Sequence, residues 1–270
     1  MDMSSATVLA RPDYRLADGL EASSGQVYLT GTQALVRLAL MQAAHDRARG
    51  VNSAGFISGY RGSPLGMVDQ AAWKAGKLLD ASRVRFLPAI NEELGATAVL
   101  GTQRVESDPE RTADGVFALW YGKGPGVDRA GDAIKHGNAY GSSPHGGVLV
   151  VAGDDHGCVS SSMPHQSDLA FQAWHMPIVA PANVAEYLEF GLYGWALSRF
   201  SGNWVGFTAL SEVVESAGTV DLDAIAARTA TWLEDAAALE AATGYVRPAD
   251  GLHYRWPDLP SLKIEERLLA

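Results

Sequence analysis

Four polar stretches of the sequence carry most of the side chains that could do chemistry, and the first runs from Gly59 to Gly66. Its residues, Gly-Tyr-Arg-Gly-Ser-Pro-Leu-Gly, can present backbone N–H groups and the Ser63 hydroxyl to an anion. The same pattern is typical of a strand-to-helix turn, in which Pro64 enters the first helical turn. The local sequence therefore leaves anion binding and a simple turn both open.

The second stretch, Asn91-Glu-Glu93, places two carboxylates directly after an asparagine. Asn91 is a good helix N-cap, and the positive end of a helix dipole favours both glutamates, so a structural role explains the pattern. In the alternative, one glutamate faces inward beside Gly95 and Ala96, which leave room for a flat ligand. Its carboxylate then hydrogen-bonds a heterocyclic nitrogen and changes the basicity of that nitrogen.

Two cations lie in the third stretch, Trp120-Tyr-Gly-Lys-Gly-Pro-Gly-Val-Asp-Arg129. We expect a glycine-rich loop from Tyr121 to Arg129, in which Lys123 and Arg129 can bind a carboxylate or a phosphate. An arginine in such a position is also commonly just solvated, so the residue types alone leave both interpretations open.

The fourth stretch, Asp154-Asp-His-Gly-Cys-Val-Ser-Ser-Ser-Met-Pro-His165, is the densest polar cluster. Its aspartates and histidines permit a metal site, and Cys158 permits a Cys/His hydrolase site. Neither interpretation has the spacing of a known motif, since the chain lacks both His-Glu-x-x-His and Gly-x-Ser-x-Gly. We therefore expect no metal ligands here and favour a polar loop that lines an active site.

Alternating strand and helix patterns position these four stretches. Short apolar runs predict strands at 27–29, 54–57, 84–87, 116–119, 147–152, 177–180 and 204–207. Helical spacing predicts helices at 34–49, 68–79, 91–105, 126–138, 184–197 and 221–242. This alternation implies an α/β fold, a mostly parallel sheet with helices on both faces. The four polar stretches follow strand ends, where ligands bind in such sheets.

Composition excludes several classes of protein. The 270 residues include 21 Lys and Arg against 31 Asp and Glu, and the net charge of −10 disfavours nucleic acid as a partner. The single cysteine, Cys158, excludes an internal disulfide and cannot hold an iron–sulfur cluster alone. Without a secretory signal or an apolar run long enough to span a bilayer, we expect a cytoplasmic protein with no membrane partner.

The polar stretches also carry a resemblance to a known family. It rests on three motifs: Phe56-Ile-Ser-Gly-Tyr-Arg-Gly-Ser-Pro-Leu-Gly66, Trp120-Tyr-Gly-Lys-Gly-Pro-Gly-Val-Asp-Arg129, and Gly153-Asp-Asp-His156 with Ser160-Ser-Ser-Met-Pro-His-Gln-Ser167. These closely resemble the N-terminal part of the fused bacterial indolepyruvate ferredoxin oxidoreductases, in the pyruvate and 2-oxoacid ferredoxin oxidoreductase superfamily. The likeness extends from about Tyr14 to the end of the chain, and fused members of the family continue for many hundreds of residues.

The resemblance implies the pyrimidine-binding domain of a thiamine-diphosphate fold. We expect this domain at 25–215, after an N-terminal surface segment at 1–24 and before a helical linker at 216–270 that leads toward a downstream domain. The implied reaction is the oxidative decarboxylation of an arylpyruvate, with CoA and ferredoxin as further partners, in a homodimer. The alternative is an inactive or regulatory binding domain of the same fold.

Site residues follow from the resemblance. In relatives, a glutamate opens a small-residue helix with a glycine nine positions later; Glu92 and Gly101 fit this spacing, and Glu93 does not. Glu92 then hydrogen-bonds the pyrimidine N1′ and favours the 4′-imino form, which removes the C2 proton. The resemblance further assigns cofactor contacts to Tyr60, Gly62, Pro64 and Asn91, together with Glu92. It assigns substrate contacts to Ser63, Arg61, Lys123, His156 and His165.

The loop around Ser63 departs from the pattern of relatives, which is Tyr-Pro-x-Thr-Pro. Ser63 keeps the hydroxyl of the threonine, whereas Arg61 replaces the first proline. The Gly-Asp-Gly and Asn motif that holds the diphosphate through magnesium is absent, and Gly153-Asp-Asp155 is the nearest approach to it. We therefore expect the magnesium–diphosphate site and the iron–sulfur clusters in parts outside this chain.

Overall fold

The computed structural model describes residues 13–234, together with residues 241, 264, 268 and 269. Its strands are β1 (Gln26–Thr30), β2 (Ser53–Gly59), β3 (Val84–Phe86), β4 (Gly115–Lys123), β5 (Val148–Gly153), β6 (Ile178–Val179), β7 (Val205–Thr208) and β8 (Ala217–Asp221). Its α-helices are α1 (Asp18–Glu21), α2 (Gly31–Ala48), α3 (Val68–Lys74), α4 (Gly76–Ala81), α5 (Glu92–Thr102), α6 (Gly124–Arg129), α7 (Gly131–Tyr140), α8 (Asp168–Ala173), α9 (Val184–Ser201), α10 (Ser211–Val214) and α11 (Leu222–Glu234).

Six strands form one parallel sheet in the order β3-β2-β4-β5-β7-β6. Helices cover both faces, so the predicted α/β class is confirmed. The six residues of β5 are all buried, as the apolar run at this place predicted. Alternate strand residues pack into two separate cores, one on each face of the sheet. Leu119 and Val151 belong to one core, whereas Trp120 and Val150 belong to the other.

The remaining two strands form a separate antiparallel pair, β1 with β8. The sequence predicts β1, but the pairing of Val27 with Val220 was not expected. Strand β8 lies at the start of the segment that we expected to be a helical linker. Its pairing with β1, and the contacts of α11 with α9, attach residues 217–234 to the rest of the fold. The assignment of the whole of 216–270 to a linker stays a prediction, and residues 1–12 lie outside the described part.

Three sequence expectations are wrong in detail. The helix predicted at 68–79 is split between α3 and α4, and the helix at 126–138 is split between α6 and α7. At both breaks ψ is near 0°, 2° at Ala75 and 4° at Ala130, which ends the regular helix. The loop expected from Tyr121 to Arg129 is instead the end of β4 followed by α6, because β4 stays paired to β2 as far as Tyr121 and to β5 as far as Lys123.

Local signals explain where the long helices begin and end. Thr30 and Gln33 form a capping box at the start of α2, each side chain accepting from the other's backbone N–H. Asn183 caps α9 and has an extended backbone, as Thr30 does at the start of α2. Gly202 ends α9 with a left-handed φ of 79°. Among the helices of the described residues, none combines the length and apolar character needed to cross a bilayer.

A buried carboxylate ties these long helices to the sheet. Asp46 of α2 accepts two hydrogen bonds of 2.7 Å from the Arg199 guanidinium of α9 and one of 2.6 Å from the Ser53 hydroxyl at the start of β2. Gln42 donates a further bond of 2.9 Å. Burial by itself raises the pKa of Asp46, but the hydrogen bonds from Arg199 and Ser53, with the His45 ring 3.9 Å away, outweigh it and hold this pKa well below its usual range.

We predict that Asp46→Asn lowers the free energy of unfolding by about 3–5 kcal/mol at pH 7, because it leaves the Arg199 charge buried without its counter-ion. Urea denaturation of both proteins measures this difference. The folded-state pKa of Asp46 lies below the unfolded value of about 3.9, so its stabilisation is complete above that pH. The difference between the two proteins should therefore shrink as the pH falls below about 4.

The matched control is Asp132→Asn, which removes an ion pair to His136 from a side chain that is 89% exposed. It should cost less than about 1 kcal/mol. Equal losses in the two variants would contradict the structural role of Asp46.

Candidate functional site

The candidate site lies at the carboxyl ends of β2 and β4, where the strand order reverses. After β2 the chain moves to β3 at one side, and it returns to form β4 on the other side of β2. Ligands bind at such switch points in open α/β sheets. The two strand ends approach closely, since a Cβ on Gly59 would lie 1.9 Å from the Tyr121 carbonyl oxygen. The Tyr60 N–H donates to the same oxygen at 3.1 Å.

The segment Lys123–Gly126, at the end of β4 and the start of α6, contacts each of the other three polar stretches. The side chain of Lys123 packs beside Gly62 of the first stretch. A Cβ on Gly124 would lie 2.2 Å from His165 Nδ1, and one on Gly126 would lie 2.6 Å from Glu92 Cγ. The Gly-Pro-Gly sequence therefore lets a histidine and a glutamate from distant segments pack directly against one short piece of backbone.

Glu92 is an enclosed candidate side chain at this place, with 15% of it exposed. Asn91 caps α5 by accepting from the Leu94 N–H at 2.9 Å, so its Oδ1 atom serves the helix. The Trp120 indole donates to the Glu92 carbonyl at 3.0 Å, and Arg129 Nε lies 3.7 Å from Glu92 Oε2. Glu93 is exposed. Of the adjacent glutamates, only Glu92 thus faces the other polar stretches.

The space expected beside Gly95 and Ala96 is not present. Gly95 packs against Ala89 and the Cα of Gly59, and its missing Cβ would lie 3.3 Å from the Trp120 nitrogen. Ala96 belongs to the apolar core. Gly101 is exposed, and a Cβ added there would meet no described atom within 4 Å. Gly126, which the sequence did not single out, is the glycine that the Glu92 side chain contacts.

Hydrogen bonds join the first and fourth stretches. The Ser160 hydroxyl donates to Ser63 Oγ at 2.9 Å, and Lys123 Nζ donates to the Ser160 carbonyl at 2.9 Å. Asp155, which is 1% exposed, accepts from the Ser160 and Val159 N–H groups at 2.8 and 2.9 Å. These backbone donors hold the pKa of Asp155 below its usual range. Ser63 and Lys123 are therefore brought together, through a loop that a buried carboxylate organises.

His165 lies between two carboxylates. Its Nε2 atom is 2.8 Å from Asp128 Oδ2, and its Nδ1 atom is 3.5 Å from Asp154 Oδ1, without the geometry of a hydrogen bond. Asp154 itself accepts from the Ser167 N–H at 2.8 Å and the Ser167 hydroxyl at 2.7 Å. This arrangement orients the ring beside Gly124.

Three of the expected contact residues lie at the surface. The side chains of Tyr60, Arg61 and His156 are exposed and form no hydrogen bond or ion pair with another described residue. The charge of Arg61 still affects Tyr121: burial and the hydrogen bond to Asp69 raise the pKa of that phenol, and Arg61 opposes the rise. Pro64 is buried against Gly153, and so it serves to shape the loop.

The metal and thiol interpretations of the fourth stretch gain no geometric support. Among the described residues, no three His, Cys, Asp or Glu side chains converge as a metal site would require. Asp154 and Asp155 instead accept hydrogen bonds within the loop, and the Cys158 thiol donates to the Ser161 carbonyl at 2.9 Å. Two further residues that the sequence analysis gave no role enter the site. Asp128 of the third stretch lies beside His165, and Glu215, from outside the motifs, accepts from the Ser63 hydroxyl at 3.4 Å.

Comparison with known proteins supports the fold. No family model matches the sequence, and no curated protein matches it. The structure is similar to that of the 2-oxoglutarate:ferredoxin oxidoreductase from Magnetococcus marinus with 2-oxoglutarate, coenzyme A and succinyl-CoA bound. The TM-score is 0.54 at 16% sequence identity, and the match covers 73% of this chain and 32% of that one. The chain thus shares its α/β fold with about a third of the length of that enzyme.

We predict that Gly126→Ala lowers the free energy of unfolding by about 1–3 kcal/mol, because the new methyl group overlaps the Glu92 side chain and forces it to move. Thermal and urea unfolding measure the change. Gly101→Ala is the control, since its Cβ meets no described atom and alanine favours helix by up to about 1 kcal/mol. A Gly126→Ala variant as stable as the Gly101→Ala variant would show that Glu92 does not pack on Gly126.

Proposed function

We propose that this chain is the aminopyrimidine-binding part of a thiamine-diphosphate-dependent 2-oxoacid:ferredoxin oxidoreductase of the fused indolepyruvate type. The single observation that carries the proposal is the position of Glu92. It is an enclosed carboxylate at the carboxyl edge of a parallel sheet, in a fold similar to that of a 2-oxoacid:ferredoxin oxidoreductase. The reaction proposed is the oxidative decarboxylation of an arylpyruvate to an acyl-CoA.

The residues present fit the pyrimidine half of the cofactor. The Oε1 atom of Glu92 accepts no hydrogen bond from a described residue, which leaves it for a protonated ring nitrogen. Gly126 keeps the carboxylate side of the site free of a side chain that would press on Glu92. When bound, thiamine diphosphate supplies a nucleophilic carbon and an electron sink for decarboxylation. Glu92 holds the proton at the ring nitrogen, and Arg129 keeps this glutamate oriented.

The cationic and hydroxyl side chains form the substrate side of the proposed site. Ser63 presents its hydroxyl at the loop that follows β2, and Lys123 holds a positive charge beside it through its bond to Ser160. His165, held between Asp128 and Asp154, adds its ring to the same side of the site. Arg61 and His156 are exposed at the same edge, where they can meet a carboxylate that approaches from solvent.

The diphosphate half of the cofactor does not fit the residues that the structure describes. Asp154 and Asp155, the nearest approach to a magnesium motif, already accept hydrogen bonds from Ser167, Val159 and Ser160. We propose that another domain or subunit supplies the magnesium site and the iron–sulfur clusters. The division at 25–215, the partners CoA and ferredoxin, the homodimer and the cytoplasmic location belong to the same proposal.

A second candidate, an inactive or regulatory domain of the same fold, has one observation in its favour. Arg129 lies 3.7 Å from Glu92, so the chain can neutralise this carboxylate without any ligand. In that case thiamine diphosphate chemistry would not depend on Glu92. The two candidates therefore differ in the turnover expected after substitution of Glu92.

We predict that Glu92→Gln lowers turnover of indolepyruvate by about 10²–10⁴-fold in the complete enzyme, that is, this chain together with the part that holds the diphosphate. The amide is nearly isosteric, so the fold and the affinity for the cofactor should change little. A CO2-release assay gives the turnover, and calorimetric titration with thiamine diphosphate and magnesium gives the affinity.

Glu93→Gln is the matched control, because Glu93 is exposed and should tolerate the change with turnover nearly intact. Equal activity of the two variants would contradict the catalytic role of Glu92 and favour the regulatory domain. A larger loss of turnover in Glu93→Gln than in Glu92→Gln would show that Glu93, and not Glu92, belongs to the site.

We predict that Ser63→Ala lowers kcat/KM for indolepyruvate by about ten- to over a hundredfold, the value of a lost hydrogen bond to a charged group. Ser160→Ala is the control, because it removes the bond between the two loops and leaves the Ser63 hydroxyl in place. Steady-state kinetics of both variants separates the two roles. If both lose the same amount, Ser63 acts by holding the loop and does not contact the substrate.

A further inference from the structure

A second cavity lies far from the candidate active site, between α2 and α11, with α1 and α4 at its sides. Its volume is about 750 Å³, within the range of small-molecule sites. The last turns of α2 line this cavity, and Asp46 in this part of α2 accepts a hydrogen bond from Ser53 at the start of β2. The candidate active site follows the opposite end of β2. Seven residues at about 3.3 Å each separate the two ends by about 20 Å.

The wall of this cavity is largely apolar. Leucines and a methionine from five helices line it: Leu20, Leu40, Met41, Leu78, Leu192 and Leu222. Among its described lining residues, Glu21 is the sole acidic side chain, against the basic residues Arg37, His45 and Arg49. An apolar wall with an excess of positive charge favours an apolar ligand that bears a negative group.

Arg37 is the buried cation of the cavity, with 4% of the residue exposed. Its guanidinium donates to the Gly19 carbonyl at 2.6 Å and to the Ala22 carbonyl, but no carboxylate of the described residues pairs with it. Its buried Nε atom has no hydrogen-bond partner. Burial lowers the pKa of Arg37 to about 10, against an opposing effect of Tyr14, so the side chain remains charged at neutral pH.

A buried charge without a counter-ion is costly, and a ligand that supplies the counter-ion recovers that cost. We propose that this cavity binds an organic monocarboxylate, with the carboxylate against Arg37 and an extended apolar body along the leucine wall. A single negative group suffices, because Arg37 is the only buried cation among the described lining residues. The site is independent of the proposed catalytic activity.

The test is calorimetric titration of the full 270-residue chain with decanoate, decanol and decyltrimethylammonium. We expect saturable one-to-one binding of decanoate, at least tenfold weaker binding of decanol, and no binding of the cation. Equal affinity for decanoate and decanol would remove Arg37 from the site. No binding of decanoate to the folded chain would overturn the proposal, including the case in which other residues of the chain cover the cavity.

Two variants locate the binding. Ala44→Phe places a bulky side chain at an exposed position of α2 that lines the cavity, and it should weaken decanoate binding at least tenfold. Ala48→Phe, one turn later on α2 and outside the lining, is the control and should leave binding unchanged. Unfolding temperatures confirm that both variants fold. Equal binding by the two variants would contradict this location.

Arg37→Met adds the charge test. It should abolish the preference for decanoate over decanol while decanol still binds to the apolar wall. Because Arg37 also holds the carbonyls of Gly19 and Ala22, the Ala44→Phe result decides the location if this variant does not fold. A preserved preference for decanoate in folded Arg37→Met would overturn the assignment of the carboxylate to Arg37.

Discussion

The close pairing of β2 with β4 is the constraint on which the rest of the site depends. All seven residues of β2 pair with β4, although β3 comes between these two strands in the sequence. The last pair, Gly59 with Tyr121, brings the backbones so close that no side chain fits on Gly59. Because the strands are parallel, the loop after β2, the start of α5 and the start of α6 must all emerge at one edge. The polar side chains meet there as a consequence of the strand order.

Charge is distributed differently at the two ends of the sheet. At the carboxyl edge, the buried carboxylates of Asp154 and Asp155 accept hydrogen bonds from hydroxyl and N–H groups of their own loop, so neither forms an ion pair with Lys123 or Arg61. At the amino end, Asp46 pairs with Arg199, whereas Arg37 donates to carbonyl oxygens and pairs with no carboxylate of the described residues. In a chain with a net charge of −10, Lys123, Arg61 and Arg37 thus lack a carboxylate partner in the part that the structure describes.

Local sequence patterns predict much of the fold, and each wrong prediction has a physical cause. Apolar runs located the parallel strands, since a strand buried on both faces is apolar throughout, as β5 is. The sequence pattern did not predict β8. The burial of its residues alternates only weakly, and its partner strand β1 lies at the other end of the domain. The pattern also ended β4 too early, at residue 119, because Trp120 and Tyr121 were assigned to a glycine-rich stretch. Gly122 and Lys123 are poor strand formers, but pairing with β5 keeps them extended.

The sequence by itself determined where α5 begins, because Asn91 caps the helix within its first turn. The family resemblance selected Glu92 over Glu93, and packing in the folded chain encloses Glu92 and leaves Glu93 exposed. Tertiary structure alone decided what surrounds Glu92. Gly126 and Arg129 reach it from another element, and Glu215 reaches Ser63 from 152 positions away, where no local spacing relates the residues. Helix capping acts within four residues, whereas these contacts depend on how the strands are ordered, and only the folded sheet specifies that order.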